Sequence, residues 1–215
     1  MSALTIIVYI IVLFLSVIIH EVAHGYAAEA LGDPTARMMG RLTLNPFKHI
    51  DIVGSILLPL FLVIVHSPIL LGWAKPVPFN PLNFKKHRKW GGALVALAGP
   101  SSNIVLALVF AIIIRISPLV GIEQSPFMVL SAMIVLLNIV LAIFNLLPAP
   151  PLDGHHVLFA ILPNQYRWLK IILTRYSIVF FFIIFFIFWG SLEKLIMIIF
   201  KLLAGNSALL LLSGM

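Results

Sequence analysis

The sequence predicts an all-α polytopic membrane protein of about four spanning helices, a re-entrant proline-interrupted segment and a short extended membrane-associated link. Of 215 residues, 62% are apolar and 10% charged, with mean hydropathy +1.15, which is too little polar surface to cover a water-soluble globule. Apolar stretches follow one another closely from residue 3 to residue 212 and leave no room for an appended soluble domain, so residues 1–215 read as a single membrane-embedded domain. The net charge is +7, but the 14 basic residues lie in short links rather than on one face. They read as topology determinants and contacts with the lipid bilayer, and no nucleic-acid partner is expected.

The first apolar run, Leu4 to Ile19, passes into HEVAHGYAAEAL, and Gly32-Asp33-Pro34 stops the helix. No basic residue precedes the run and no small-x-small site follows it, so it reads as a retained helix rather than a signal peptide. Residues 52–71 are long enough to cross a membrane but carry Pro59, His66 and Pro68, which marks an irregular segment. The link GWAKPVPFNPLNFKKHRKW follows. Its three prolines forbid a regular helix, and Lys75, Lys85, Lys86, Arg88 and Lys89 make it a basic surface link. Gly91 to Ile116 and Phe127 to Leu147 are two further spans, joined by a loop whose charge is Glu123. The link Pro148 to Tyr176 carries Arg167, Lys170 and Arg175, and the aromatic run at 177–190 is the last span.

Zero cysteines exclude thiolate metal sites, so any metal is held by imidazole and carboxylate. HEVAH at 20–24 matches His-Glu-x-x-His. A spacing of four returns both imidazoles to one helix face, where one ion can bridge them. Glu21 follows the first ligand directly, which suits a carboxylate that takes a proton from an activated water instead of binding the metal. Two histidines and a glutamate near a membrane-embedded helix cost several kcal/mol unless they have partners, and a metal supplies them. Catalytic zinc sites hold three protein ligands and leave one position open, so a third is needed. Asp153 stands out among the candidates. In FNLLPAPPLDGHH the prolines stop the preceding helix and leave extended, unpaired backbone able to line a site. The bland alternative for Asp153-Gly154 is a helix cap or turn.

Four features taken in order resemble the site-2 proteases, intramembrane zinc metalloproteases of the peptidase M50 type. These are HEVAH at 20–24, the GWAKPVPFNP link, GPSSN at 99–103 and NLLPAPPLDG at 145–154, and the likeness covers a core of residues 5–160, with 161–215 a C-terminal membrane helix region. The resemblance implies that His20, His24 and Asp153 bind one Zn(2+), and that Glu21 is the catalytic base. It also implies that Asn103 and Asn145 face the site, holding substrate backbone or the developing oxyanion. One departure is visible: the family continues LDG with Gly and Arg, whereas this chain has His155 and His156. They are treated as local or supporting groups; His49, His66 and His87 read as interfacial or packing residues.

If His24 and Asp153 share an ion, the chain crosses the membrane an even number of times between them. The spans at 91–116 and 127–147 already supply two crossings, so residues 52–71 should enter and leave on one side. Arg37, Arg41 and Lys48 before this segment, and the basic residues after it, favour the cytoplasm. The site is therefore expected near the cytoplasmic face of a bacterial or archaeal cell membrane, with the N-terminus outside. Lys194 and Lys201 fit less well, since one crossing at 177–192 places them outside. The expected substrates are transmembrane proteins, and no soluble sensor domain is visible, so regulation would come from a separate protein. The rival class is a zinc transporter or a non-catalytic metal-dependent scaffold. Two histidines and a carboxylate also suit iron, cobalt or manganese.

Overall fold

In a computed structural model the described residues are 3–66, 72, 74–87, 89–122 and 125–213. Pro68, Arg88, Glu123 and the end of the 52–71 segment lie outside them. The long helix α1 (Ala3–Ala30) carries HEVAH in its last third, and a four-residue helix α2 (Thr35–Met38) follows it. Residues Ile52–Leu57 are π-helical and continue into α3 (Leu58–Ile64). Then come α4 (Gly91–Ile116), α5 (Pro126–Leu146), α6 (Gly154–Ile161), α7 (Arg167–Arg175), α8 (Ser177–Ala204) and α9 (Ser207–Ser213). There is no strand among the described residues. Four helices are long and apolar enough to cross a membrane, those at Leu4–Ala30, Gly91–Leu119, Pro126–Leu146 and Ser177–Ala204. The chain is a multi-pass membrane protein.

Helix α4 lies between α1 and α5, and α8 packs on the outer side of α5. Small residues let these helices approach. Ala107 and Ala111 of α4 and Ala132 of α5 are buried with Met128, Val135, Ile139 and Phe200 in one apolar cluster. Lipid drives no helix association by itself, so close van der Waals contact between small side chains carries the packing. The opposite faces are apolar and exposed, as at Ile7, Ile11 and Leu15 of α1 and Phe186 and Ile187 of α8, where lipid tails meet them. Beyond α8's last turn, Arg115 from the end of α4 donates to Leu203 O at 2.9 Å and Leu202 O at 2.7 Å. The end of α8 therefore meets the end of α4, which fits a single crossing by α8.

The apolar helix at Ile52–Ile64 is too short to cross, since 13 residues at 1.5 Å each span ~20 Å against a ~30 Å hydrocarbon core. The chain also returns to where it left. Lys75 donates its N–H to His49 O at 2.8 Å, and a Cβ on Gly72 would sit 2.9 Å from Gly54 O. Both ends of the segment are thus at the same depth, as a re-entrant hairpin requires.

The link after the hairpin is more than a basic surface segment. Ala74, Val77 and Phe84 are buried, and the backbone is clamped along its length. The buried Arg41 donates to Lys75 O at 2.6 Å and Pro76 O at 3.2 Å. At the other end, the buried Asp33 accepts from Asn80 N at 2.6 Å and Asn83 Nδ2 at 2.7 Å, and also from Thr35. Burial alone would raise the Asp33 carboxyl, but these hydrogen bonds outweigh it and hold it below the usual range. The stability they add is present above the ordinary carboxylate pKa and is lost as pH falls through the lowered one.

The absence of cysteine allows a direct check of the hairpin. Single-cysteine variants Lys48→Cys and Lys75→Cys, in sealed vesicles, should react with an impermeant maleimide from the same side. Labelling from opposite sides would show that residues 52–71 cross.

Candidate active site

His20 and His24 are adjacent on one face of α1, both buried. Asp153 reaches them from the start of α6, 133 residues from His20 in sequence. The Nε2 atoms of the two histidines are 3.0 Å apart. Asp153 Oδ2 is 3.0 Å from His20 Nε2 and 3.2 Å from His24 Nε2. Atoms bound tetrahedrally at 2.0–2.1 Å from one centre lie about 3.3 Å apart, so this triangle has the size of one face of a zinc site. Among the described residues, these three are the group of His, Asp and Glu able to hold a metal ion.

The outer nitrogens decide which tautomer faces inward. His24 Nδ1 lies 2.7 Å from Val95 O of α4, a carbonyl that can only accept. His20 Nδ1 lies 2.6 Å from Asn103 Oδ1, whose amide nitrogen donates to Asn138 Oδ1 at 2.7 Å. Both Nδ1 atoms are therefore donors, and both Nε2 atoms turn lone pairs toward each other and toward a carboxylate. Three lone pairs at this separation repel unless a cation lies between them. The donor set fits zinc, and the partners of Nδ1 fix the ring orientation that a metal needs.

Glycines make the convergence sterically feasible. A Cβ on Gly99 would lie 2.5 Å from Cε1 and Nε2 of His24 and 2.6 Å from His20 Cε1, so α4 can pass behind both rings only as glycine. A Cβ on Gly154 would lie 2.4 Å from the carbonyl oxygens of Leu146 and Leu147. Its absence lets α6 start against the end of α5 and carries Asp153 inward. Asp153 stands at the N-cap position but makes no capping bond with its side chain, which is turned to the histidines instead. The preceding PAPP segment is not extended, as the sequence suggested. It folds into tight turns, with Ala149 N donating to Leu147 O and Leu152 N to Ala149 O, because backbone groups at this depth need partners.

Glu21 accepts from Val77 N at 2.8 Å, so the clamped link lies over its carboxylate. In Pro76-Val77-Pro78 only Val77 has an N–H to give. Asn103 has a different partner from the one expected: it is fully buried and its amide is spent between His20 and Asn138. Asn145 is half-buried, and its amide nitrogen donates to Leu141 O at 3.0 Å within its own helix. His155 Nδ1 lies 2.6 Å from Leu152 O, and neither His155 nor His156 joins the metal-capable group. Burial, with the neighbouring His155, pushes His156 down to about 4, so it is neutral at pH 7. His49 is buried with Nε2 2.8 Å from Thr43 O, a packing role.

Asn138 and Ser16 were missed by sequence reasoning. Asn138 is fully buried on α5, accepts from Asn103 and donates to Ser16 Oγ at 2.9 Å. The chain Ser16–Asn138–Asn103–His20 thus links α1, α5 and α4 and ends on a histidine of the triad. The one available signal was a lone amide in an otherwise apolar span.

The family model for peptidase family M50 matches residues 8–124 and 121–189. YwhC of Bacillus subtilis, whose name places it among the zinc metalloproteases, is 40% identical over 163 residues, covering 74% of this chain and 70% of that one. The zinc metalloprotease MJ0392 of Methanocaldococcus jannaschii is 28% identical over 206 residues, covering 96% of this chain and 46% of its own. Rip2 of Mycolicibacterium smegmatis, also named as a zinc metalloprotease, is 29% identical over 146 residues, covering 67% and 53%. The chain thus spans about half the length of the latter two. No solved structure matches it.

Gly99→Ala should force the imidazoles apart at a cost of ~1–3 kcal/mol, which is roughly tenfold or more in divalent-metal affinity. Metal content of the purified variant after mild chelation is the measurement. Retention equal to the parent would contradict the packing described.

Proposed function

We propose that this chain, which belongs to peptidase family M50 and is a zinc metalloprotease, hydrolyses peptide bonds within or near transmembrane segments of membrane-protein substrates. The cleavage takes place close to the cytoplasmic face of a bacterial or archaeal cell membrane. The observation that carries the reading is the triangle of His20, His24 and Asp153 atoms within 3.2 Å of one another, with Glu21 one residue from the first ligand. The depth of the site supports membrane substrates, since HEVAH lies on a helix apolar enough to span.

His20, His24 and Asp153 would hold the zinc. When bound, the ion supplies Lewis acidity that polarises the scissile carbonyl and acidifies a water. Glu21 takes the proton of the attacking water and delivers it to the leaving amine. For that, its carboxylate exchanges the Val77 amide for the water, so the clamped link holds the base in place between turnovers. Asn103 positions His20 by fixing its tautomer and does not touch substrate. Asn145 spends its amide nitrogen on Leu141 O, so its carbonyl oxygen is the group left to accept a substrate N–H. The substrate helix must unwind there, since its own hydrogen bonds otherwise occupy the carbonyl to be attacked.

Lys48, Lys75, Lys85, Lys86 and Lys89 are exposed on the links at the site's end of the bundle, which supports a cytoplasmic orientation. At the other end, Arg115 is engaged with the terminal carbonyls of α8. A transporter would need ligands spread along a route, whereas the metal-capable group lies at one depth beside a carboxylate that is not a ligand.

Glu21→Gln should reduce cleavage of a single-span test substrate by ~100-fold or more with zinc content unchanged. Retained cleavage with normal zinc would reject the mechanism. Asn138→Ala should weaken zinc binding by ~10–100-fold, read by competition with a chromogenic chelator. Parent-like affinity would remove the Ser16–Asn138–Asn103 chain from the design of the site.

A further inference from the structure

Helix α7, Arg167–Arg175, is divided sharply into two faces. At 100° per residue Lys170, Thr174, Arg167 and Arg175 share one arc with Ile171, while Trp168, Leu169, Ile172 and Leu173 occupy the other. The polar arc forms an open groove lined by Arg167, Lys170, Ile171, Thr174 and Arg175. On the apolar arc Trp168 is 58% exposed and Ile172 38%, so protein leaves that part of it open, while Leu169 and Leu173 are partly buried. The helix packs mainly on its flanking segments. Tyr166 and Tyr176, both exposed, bracket it, and Arg175 lies over the Tyr176 ring at 5.8 Å. It leads straight into the span α8.

No acidic residue lies between Asp153 and Glu193, so the basic arc has no counter-ion nearby in the chain. Three cations on one arc, a partly open apolar arc and bracketing tyrosines at the foot of a span are the composition of a helix lying in the headgroup layer. We propose that α7 is a docking site for anionic phospholipid, whose phosphodiester sits on Arg167, Lys170 and Arg175 while its acyl chains run under Trp168 and Ile172. Lys170 also donates to Phe159 O of α6, the helix that begins beside Asp153. An occupied groove therefore bears on the element that carries the carboxylate of the triad. The proposal depends on membrane embedding and not on proteolysis.

The full chain, purified in neutral detergent, is titrated with phosphatidylglycerol or phosphatidylcholine, and retained lipids are counted by native mass spectrometry. The parent should retain phosphatidylglycerol preferentially, and the preference should fall as salt rises. Each cation near an anionic surface contributes about fivefold, so Arg167→Gln/Arg175→Gln should lose roughly tenfold or more of the preference. Lys85→Gln/Lys86→Gln, on the other basic link, should keep it. Arg167→Lys/Arg175→Lys should also keep it, which separates charge from a folding defect. Equal retention of both lipids by the parent, or an unchanged preference in the double Gln variant, would overturn the proposal. So would full displacement by millimolar inorganic phosphate, which would make the groove a general anion site.

Discussion

Three lone pairs brought within 3.2 Å of one another, inside a bundle that spans a membrane, set the conditions the rest of the fold meets. Water cannot relieve such a cluster and lipid makes it worse, so it persists only around a cation and only if each ligand is held from behind. Bringing position 153 back to position 20 takes one passage away through α4 and one return through α5. The passage fits because Gly99 gives way to two rings, and the return fits because Gly154 gives way to two carbonyls. The short apolar helix at 52–64 agrees with the same count, since a third full crossing would leave Asp153 on the far side from His24.

Packing and chemistry share bonds here. In lipid a buried amide must find a partner, and interhelical hydrogen bonds are worth roughly 0.6 kcal/mol each on average. Asn103, Asn138 and Ser16 satisfy one another across three helices, and the last acceptor in the series fixes a histidine tautomer. Contacts that hold α1, α4 and α5 in register therefore also prepare a ligand.

What could be read from the chain was local or periodic. HEVAH was legible because a spacing of four on a helix fixes geometry without tertiary knowledge, and the spans were legible because length and hydropathy set them. Asp153 was legible from the prolines that end α5 before it. Other features depend on which residues meet across the bundle. A lone Asn138 in a 21-residue apolar helix has no spacing to betray its partner. The bond from Val77 to Glu21 is a backbone donor, identical in every non-proline residue. Asn103 was expected to face substrate, yet which side of α4 it occupied depended on where α5 came to rest. The turns at 148–152 replaced an extended link because membrane depth penalises open backbone, a pressure that prolines alone do not reveal.

The clamped segment over Glu21 has a property that follows from its donors. From Lys75 to Pro81, three residues are prolines, and the N–H groups of Lys75, Val77 and Asn80 go to His49, Glu21 and Asp33. At most one amide, that of Phe79, is left to face outward. A neighbouring strand laid along this stretch would find acceptors and almost nothing to accept from, so no ladder could grow on it. The segment can thus lie bare beside Glu21 without becoming a seed for aggregation.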